Sequence, residues 1–593
     1  MPRISNSPNS SATFALSFAT FAFSPAQGSS CTTRAFVRTC NITLRPHTLI
    51  RMKPIDRRRF LALSAATAVS LKSLAQTPAA TTLTLHPETH GPTIPSNFVG
   101  LSYETQQLTD PAFFSTANTG LIAMFRALAP HGVLRLGGNT SDVGWWKPTP
   151  TSPQPPLPPK VVIIPLRPEE TPFQKLAYSV TPEAIRNLRA FLDATGWTCL
   201  YGINLGTSTP ERAAEEAAYV AKTLGPRLEY FQLGNEPDIF YNRFRVKATW
   251  TADAYFDEWL ASANAIRAAV STAKFGLPDT SGNPTWYAKV ADRLGALPAA
   301  DRPKIAALSH HYYFGGPPSN PNITLDKLLQ PNAKVKGLAD NITAASTNLS
   351  TKVGYKVPYR MTEGNTCYRG GKPGVSDVFG AALWAADYLL TLASLGYSGV
   401  NLHGGSGKAV ADSLGGTLPG ELLMPDPKAP HPRPFYTPIA EVEGKYVAEP
   451  VFYGMLFAQK FAGATIVPID FDPGPIDATA FAAKLPDGKF VLGVINKDEH
   501  AELRMTVKNH KGACGQHLTA NSLTSHDVNF ANFNELNRSL NLSAADEAKL
   551  KRGGKVQLKG KSSMDNDYVC QGIDHGWVTL QIPAASAIFY DLI

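Results

Sequence analysis

The chain has 593 residues, 43 % of them hydrophobic and 17 % charged, the profile of a folded protein of two to four domains rather than a disordered chain. The formal charge of +9 invites a nucleic-acid reading, but ten of the 56 basic residues and one of the 47 acidic residues precede Gln76. The remainder is neutral and has no general attraction for polyanions, and no apolar run reaches the roughly 18 residues that span a bilayer.

Residues 1–51 carry five Arg, many Ser and Thr and no Asp or Glu, a composition shared with organellar transit peptides. From Met52 the run Lys53-Pro54-Ile55-Asp56-Arg57-Arg58-Arg59-Phe60-Leu61 leads into an apolar stretch ending at Leu71, then Ser73-Leu74-Ala75. That order is the layout of a twin-arginine signal with a small-x-small cleavage site; the alternative is a chance basic patch before a buried helix. Residues 1–75 are therefore read as a leader, with translation starting at Met52 and the mature chain beginning near Gln76. The expected destination is the periplasm or exterior of a bacterial cell, with no membrane insertion after cleavage.

Cys31 and Cys40 lie in the leader, and Cys199, Cys367, Cys514 and Cys570 show neither CxxC spacing nor a nearby His pattern. No metal site and no cofactor are expected. Cys514 and Cys570 could pair in an oxidising compartment, or all four could be buried free thiols.

After the leader, short apolar runs alternate with longer amphipathic ones. The strand candidates are Phe98–Glu104, Val133–Gly138, Thr198–Leu205, Leu228–Glu236, Lys274–Thr280, Ile305–Phe314, Pro358–Asn365 and Gly399–Gly405. Helices are expected at Thr181–Gly196, Thr209–Leu224, Thr251–Ser271, Val375–Gly396 and Glu449–Ala462, several opening on a Thr or Ser cap. Eight strand–helix repeats predict an α/β fold, a (β/α)8 TIM barrel over residues 98–462. A doubly wound sheet is the rival, but no GxGxxG follows the first strand. Beyond about Phe461 the pattern becomes strand-like, at Thr479–Leu485, Lys489–Asn496, Ala501–Val507, Lys555–Lys559 and Trp577–Ile582. This predicts a C-terminal β-sandwich over 463–593, with residues 76–97 contributing to it through Thr81–Leu85. Pro148–Pro159 and Gly404–Lys445 read as surface insertions.

In such barrels the chemistry stands at the C-terminal strand ends. Strand four ends in Gly234-Asn235-Glu236-Pro237 and strand seven in Thr362-Glu363-Gly364-Asn365, which places two carboxyls across one mouth. That pairing suits glycoside hydrolysis, Glu236 protonating the leaving oxygen and Glu363 attacking the anomeric carbon. The charge of Glu363 would help Glu236 keep its proton until the sugar ester forms. Asn235, beside the acid, is placed to bond the sugar 2-OH. Either Glu alone could equally be a salt-bridged or capping residue.

These segments resemble clan A glycosidases and, within them, glycoside hydrolase family 79, the β-glucuronidases and heparanases. The matching runs, in order, are the strand-one end with Glu104, Arg135-Leu136-Gly137-Gly138-Asn139-Thr140-Ser141-Asp142, Gly234–Pro237, His310-His311-Tyr312-Tyr313 and Glu363-Gly364-Asn365-Thr366-Cys367-Tyr368. The resemblance implies a glucuronic-acid-bearing carbohydrate as substrate, Glu236 as acid/base and Glu363 as nucleophile. It further implies that Glu104 and Asn139 bind hydroxyls, that Tyr312 holds Glu363 or the ring, and that His310 lines the pocket. Tyr368, the backbone N–H near Gly370 and Tyr436 would bind the uronic carboxylate. His310 could instead be a structural histidine, and Tyr368 rim packing.

The resulting expectation is a retaining, exo-acting β-glucuronidase. The alternatives are an endo-acting heparanase-like enzyme, another clan A glycosidase such as an arabinofuranosidase, and an exported carbohydrate-binding protein without activity. An endo enzyme for sulfated chains needs a basic groove, whereas Arg243–Lys247 and Lys549–Lys561 read more simply as solvated loops.

Overall fold

The computed structural model describes residues 80–162, 177–414, 434–442, 444–508, 513–519, 568–571 and 577–592. The leader, Lys549–Lys561 and residues 415–433 and 443 of the Gly404–Lys445 insertion lie outside these residues. Eight parallel strands close into a barrel. We number them β1 (Val99–Glu104), β2 (Val133–Gly137), β3 (Thr198–Ile203), β4 (Leu228–Leu233), β5 (Lys274–Thr280), β6 (Lys304–Gly315), β7 (Tyr359–Cys367) and β8 (Val400–Gly404). Each pairs with the next, and β8 returns to β1 with Val400 beside Val99.

The connecting helices start where local chemistry tells them to. Thr181, Thr209 and Thr251 each accept a hydrogen bond from a backbone N–H of the first turn, at Ala184, Arg212 and Ala254 respectively. Pro182 and Pro210 occupy first-turn positions that need no backbone donor. Phe379–Ser394 and Pro450–Gln459 are apolar on nearly every face and are buried against each other and the barrel.

Two sheets follow the barrel. The four-stranded one contains Ala80–Leu85, which pairs parallel with Leu503–Lys508 and antiparallel with Ile469–Phe471. Leu83 and Leu85 from this strand pack with Val467, Met505 and Val507 in a core separate from the barrel's. The six-stranded sheet carries Ser586–Leu592 near its centre, between Phe490–Asn496 and Ala513–Thr519. In that sheet Cys514 stands directly opposite Cys570 in backbone register. Cys199 and Cys367 are buried free thiols. The barrel with C-terminal sheets is the fold class that the sequence leads one to expect.

Candidate active site

The last residues of β4 and the turn after it set the first carboxyl. Gly234 takes φ +81 and Glu236 φ +49, so the chain reverses sharply and turns Glu236 into the mouth. Asp142 holds this turn from below: its carboxylate accepts backbone N–H groups from Asn235 at 2.9 Å, Gly206 at 2.9 Å and Leu205 at 3.1 Å. Burial pushes the Asp142 carboxyl up to about 6, against the pull of those bonds. Asp238 anchors the far side of the turn through the backbone and hydroxyl of Ser281.

A register shift in β7 sets the second carboxyl. Pairing with β6 slips between Met361 and Glu363, so Thr362 and Glu363, adjacent in sequence, both reach the barrel interior. Oxygens of Glu236 and Glu363 and a His311 nitrogen lie within 4.8 Å of one another. Glu363 is bonded by Arg135 Nη1 at 2.5 Å and by the Tyr313 hydroxyl at 2.8 Å. Burial raises this carboxyl, but His403, His311, Arg135 and Tyr313 outweigh it and hold it at about 2. Glu363 is therefore an anion at neutral pH.

Arg135 is the hub. Beyond Glu363 it donates to Asp279 at 2.7 Å, Asn235 Oδ1 at 2.8 Å, Ser102 Oγ at 3.1 Å and Gln232 Oε1 at 3.2 Å. Gly137 and Gly138 are required here, because a Cβ at the first would strike the guanidinium and one at the second the Glu104 carboxylate. His311 bridges Asp279 at 3.1 Å and Glu236 at 3.2 Å. Burial lowers His311, but the charges of Asp279 and Glu363 and the bonds to Asp279 and Glu236 raise it to about 10. His311 already spends both ring nitrogens on Asp279 and the Glu236 carboxyl, and Arg135 and Tyr313 occupy Glu363, so the cluster is satisfied by its own neighbours rather than built around a cation.

Three of the four non-glycine residues with positive φ among the described residues are Glu236, Asp279 and Arg369. They stand at or just beyond the ends of β4, β5 and β7, where local strain is held by the surrounding bonds.

The structure separates the sequence-derived residues into two groups. Glu236, Glu363, Asn235, Asn139, Glu104 and Tyr436 converge on one mouth. Glu104 is bonded by Thr140 at its backbone and hydroxyl and faces His403 at 3.4 Å. The Tyr436 ring lies 6.1 Å from that of Tyr313 and 5.9 Å from His403. Tyr368 meets Tyr313 edge-on at 6.3 Å on the rim, and Gly370 accepts the backbone N–H of Phe435, next to Tyr436.

His310 and Tyr312 do not join them. His310 faces away and bonds the Tyr397 hydroxyl at 2.7 Å, while Tyr312 turns to Asn332 and Tyr388. Side chains alternate along β6, so the inward pair is His311 and Tyr313, each one residue later than expected. The run Arg243–Lys247 is not simply solvated: Arg243 and Arg245 are buried, the latter paired with Glu258 at 2.7 Å. Sequence reasoning also passed over Asp279, His403 and the hub role of Arg135. All three lie on barrel strands, Asp279 and His403 one residue from the end and Arg135 in the middle of β2, inside a quoted motif.

No family model matches the chain. It is similar to a protein named beta-glucuronidase from Aspergillus niger, 28 % identical over 317 residues, half of this chain and 55 % of that protein. A Neurospora crassa protein of the same name is 29 % identical over 227 residues, 35 % of this chain and 40 % of that one. The chain thus spans about half the length of the curated relatives it matches. Its fold is similar to the crystal structure of a 4-O-α-L-rhamnosyl-β-D-glucuronidase from Fusarium oxysporum, with TM-score 0.59 and 16 % identity over 86 % of this chain and 98 % of that one. A family 51 arabinofuranosidase from Xanthomonas axonopodis pv. citri gives TM-score 0.57 at 14 % identity, over 86 % of this chain and all of that one.

Proposed function

We propose that the protein is a retaining, exo-acting β-glucuronidase of the family 79 type, exported by the twin-arginine route to act on glycans or glycosides ending in β-linked glucuronic acid. The observation that carries this reading is the closeness of the two carboxyls, with oxygens of both inside a 4.8 Å cluster. Retaining glycosidases keep their carboxyls about 5 Å apart, whereas inverting ones leave room for a water. The glucuronidase name of two sequence relatives supports the choice of sugar.

In this mechanism Glu363, held as an anion by Arg135 and Tyr313, attacks the anomeric carbon as Glu236 protonates the departing oxygen. The glycosyl ester removes the charge of Glu363 and leaves Arg135 bonded to Asp279 and Asn235. Glu236, now a carboxylate beside the His311 cation, takes a proton from water, and the resulting attack frees the sugar. Tyr436 and Tyr368, grouped around Tyr313 on the Glu363 side, are the phenols that would receive the uronic carboxylate, with the Gly370 N–H. A phenol donates a hydrogen bond without setting a further cation against the oxocarbenium charge.

A panel of aryl β-glucuronide, aryl β-glucoside, aryl α-arabinofuranoside and a heparan oligosaccharide tests the reading, run with wild type and Glu363→Gln. Fastest turnover of the glucuronide with release of the β-anomer, abolished in the variant, is the expected result. Faster turnover of the arabinofuranoside or the heparan chain overturns it, as does glycan binding without turnover.

A further inference from the structure

Asn139 and Asn235 sit between two arginines, and that placement fixes how both amides face. Arg243 follows the short helical turn Pro237–Asn242 beyond the acid Glu236 and is buried at the mouth. Its Nη1 donates to Asn139 Oδ1. The same oxygen accepts Asn235 Nδ2 at 3.0 Å, and Asn235 Oδ1 accepts Arg135 Nη2 at 2.8 Å. A guanidinium has only donors. The Asn139 atom facing Arg243 must then be its oxygen, the Asn235 atom facing that oxygen must be its nitrogen, and the atom left for Arg135 is again an oxygen. One orientation of both amides satisfies the chain from end to end.

With its oxygen engaged by Arg135 and one Nδ2–H by Asn139, Asn235 has its second Nδ2–H left to offer a substrate hydroxyl. The remaining bond on Asn139, Nδ2 to the Ser413 carbonyl at 3.3 Å, is the longest in the set. Without Arg243 the orientation of Asn139 rests on that bond and on Asn235 itself, so both amides lose their outer anchor.

We propose that Arg243 is a positioning residue that acts through Asn139 to aim the Asn235 amide at the sugar 2-OH. This rests on the glycosidase reading above and deepens it. The 2-OH contact strengthens as the oxocarbenium character develops, so its aim shows in turnover and not in binding alone. Arg243 also faces the charges of Glu236 and Asp142. Loss of that field would affect every substrate alike, whereas loss of aim affects only substrates with a 2-OH.

The test compares wild type, Arg243→Met, Asn139→Ala and the double variant on an aryl β-glucuronide and its 2-deoxy analogue, with thermal midpoints recorded. Arg243→Met should lower kcat/KM on the hydroxylated substrate by about 10- to 100-fold, mostly in kcat, and on the 2-deoxy substrate by under about threefold. Asn139→Ala should follow the same pattern, and the double variant should lose little more than either. Equal losses on both substrates, or additive losses in the double variant, overturn the proposal. If wild type prefers another aryl glycoside, the glucuronidase reading fails, and the same comparison on that glycoside and its 2-deoxy form still decides the role of Arg243. A wild type that turns over no aryl glycoside overturns both.

Discussion

Arg135 and Arg360 are both buried in the barrel, yet the molecule uses them in opposite ways. Arg360, near the start of β7, donates to the backbone carbonyls of Ser398, Asn97 and Phe98 and to Asn401 Oδ1. Burial lowers it, and no carboxylate pairs with it among the described residues. Arg135, at the mouth, bonds side chains throughout; burial would lower it too, but Asp279 and Glu363 hold it up. Carbonyls are available wherever a chain turns, whereas carboxylates must be placed by sequence. An arginine on carbonyls closes one end of the barrel, and an arginine on carboxylates organises chemistry at the other.

The sharpest way to break this contrast is to remove each guanidinium in turn. Arg135→Met should lower kcat/KM at least about 1000-fold and cost about 3–5 kcal/mol, because Asp279 and Glu363 stay buried without their cation. Arg360→Met should cost stability but leave kcat/KM of the folded protein within about threefold. Denaturant midpoints and steady-state kinetics on both variants check this, and similar kinetic losses in the two would erase the distinction.

The next effect concerns the two faces of β6. Tyr313→Phe removes a bond to Glu363 and should cost about 10- to 100-fold in kcat/KM, with the acid limb of the pH profile moving upward as the carboxyl loses a stabilising donor. Tyr312→Phe, on the outward face, should stay within about threefold. Smaller still, Tyr368→Phe should cost about tenfold on a glucuronide and much less on a glucoside, since a single exposed hydroxyl is lost.

A separate effect, read in stability and not in turnover, is the dependence on pH. His311 is raised from 6.5 to about 10 in the folded protein, so its contribution is fully present below 6.5 and is lost as pH rises through about 10. The thermal midpoint of wild type should therefore fall more steeply than that of His311→Gln between pH 8 and 10.5. Parallel curves would show that His311 is not the cation bridging Glu236 and Asp279.

Much of this was legible in the residues, and the gaps have physical causes. Lys274–Thr280 can be read to the residue because its composition and flanking turns agree. The paired glutamates could be found because a barrel puts strand ends on one rim. On β6 the reading slipped by one because His310-His311-Tyr312-Tyr313 repeats each residue type, and a period of two cannot choose between neighbours without a register. Asp279 lies one residue from the end of β5, where a lone carboxylate gives no sign of the guanidinium and imidazole that the fold brings to it. Arg243 looked like part of a charged loop, but buried Phe244 draws that segment inward and Arg245 lies over the Trp250 ring at 5.1 Å. The strand Ser586–Leu592 was not picked out, although it pairs on both edges.

The strand Ala80–Leu85 has a consequence for how the polypeptide is made. Its partners are residues 469–471 and 503–508, so a ribosome working from the N-terminus must add some four hundred residues before that sheet can close. The barrel strands, paired mostly with neighbours in sequence, can assemble while this early segment still waits for a partner. Secretion before synthesis is complete would send that edge across bare, and a route that carries finished proteins would not.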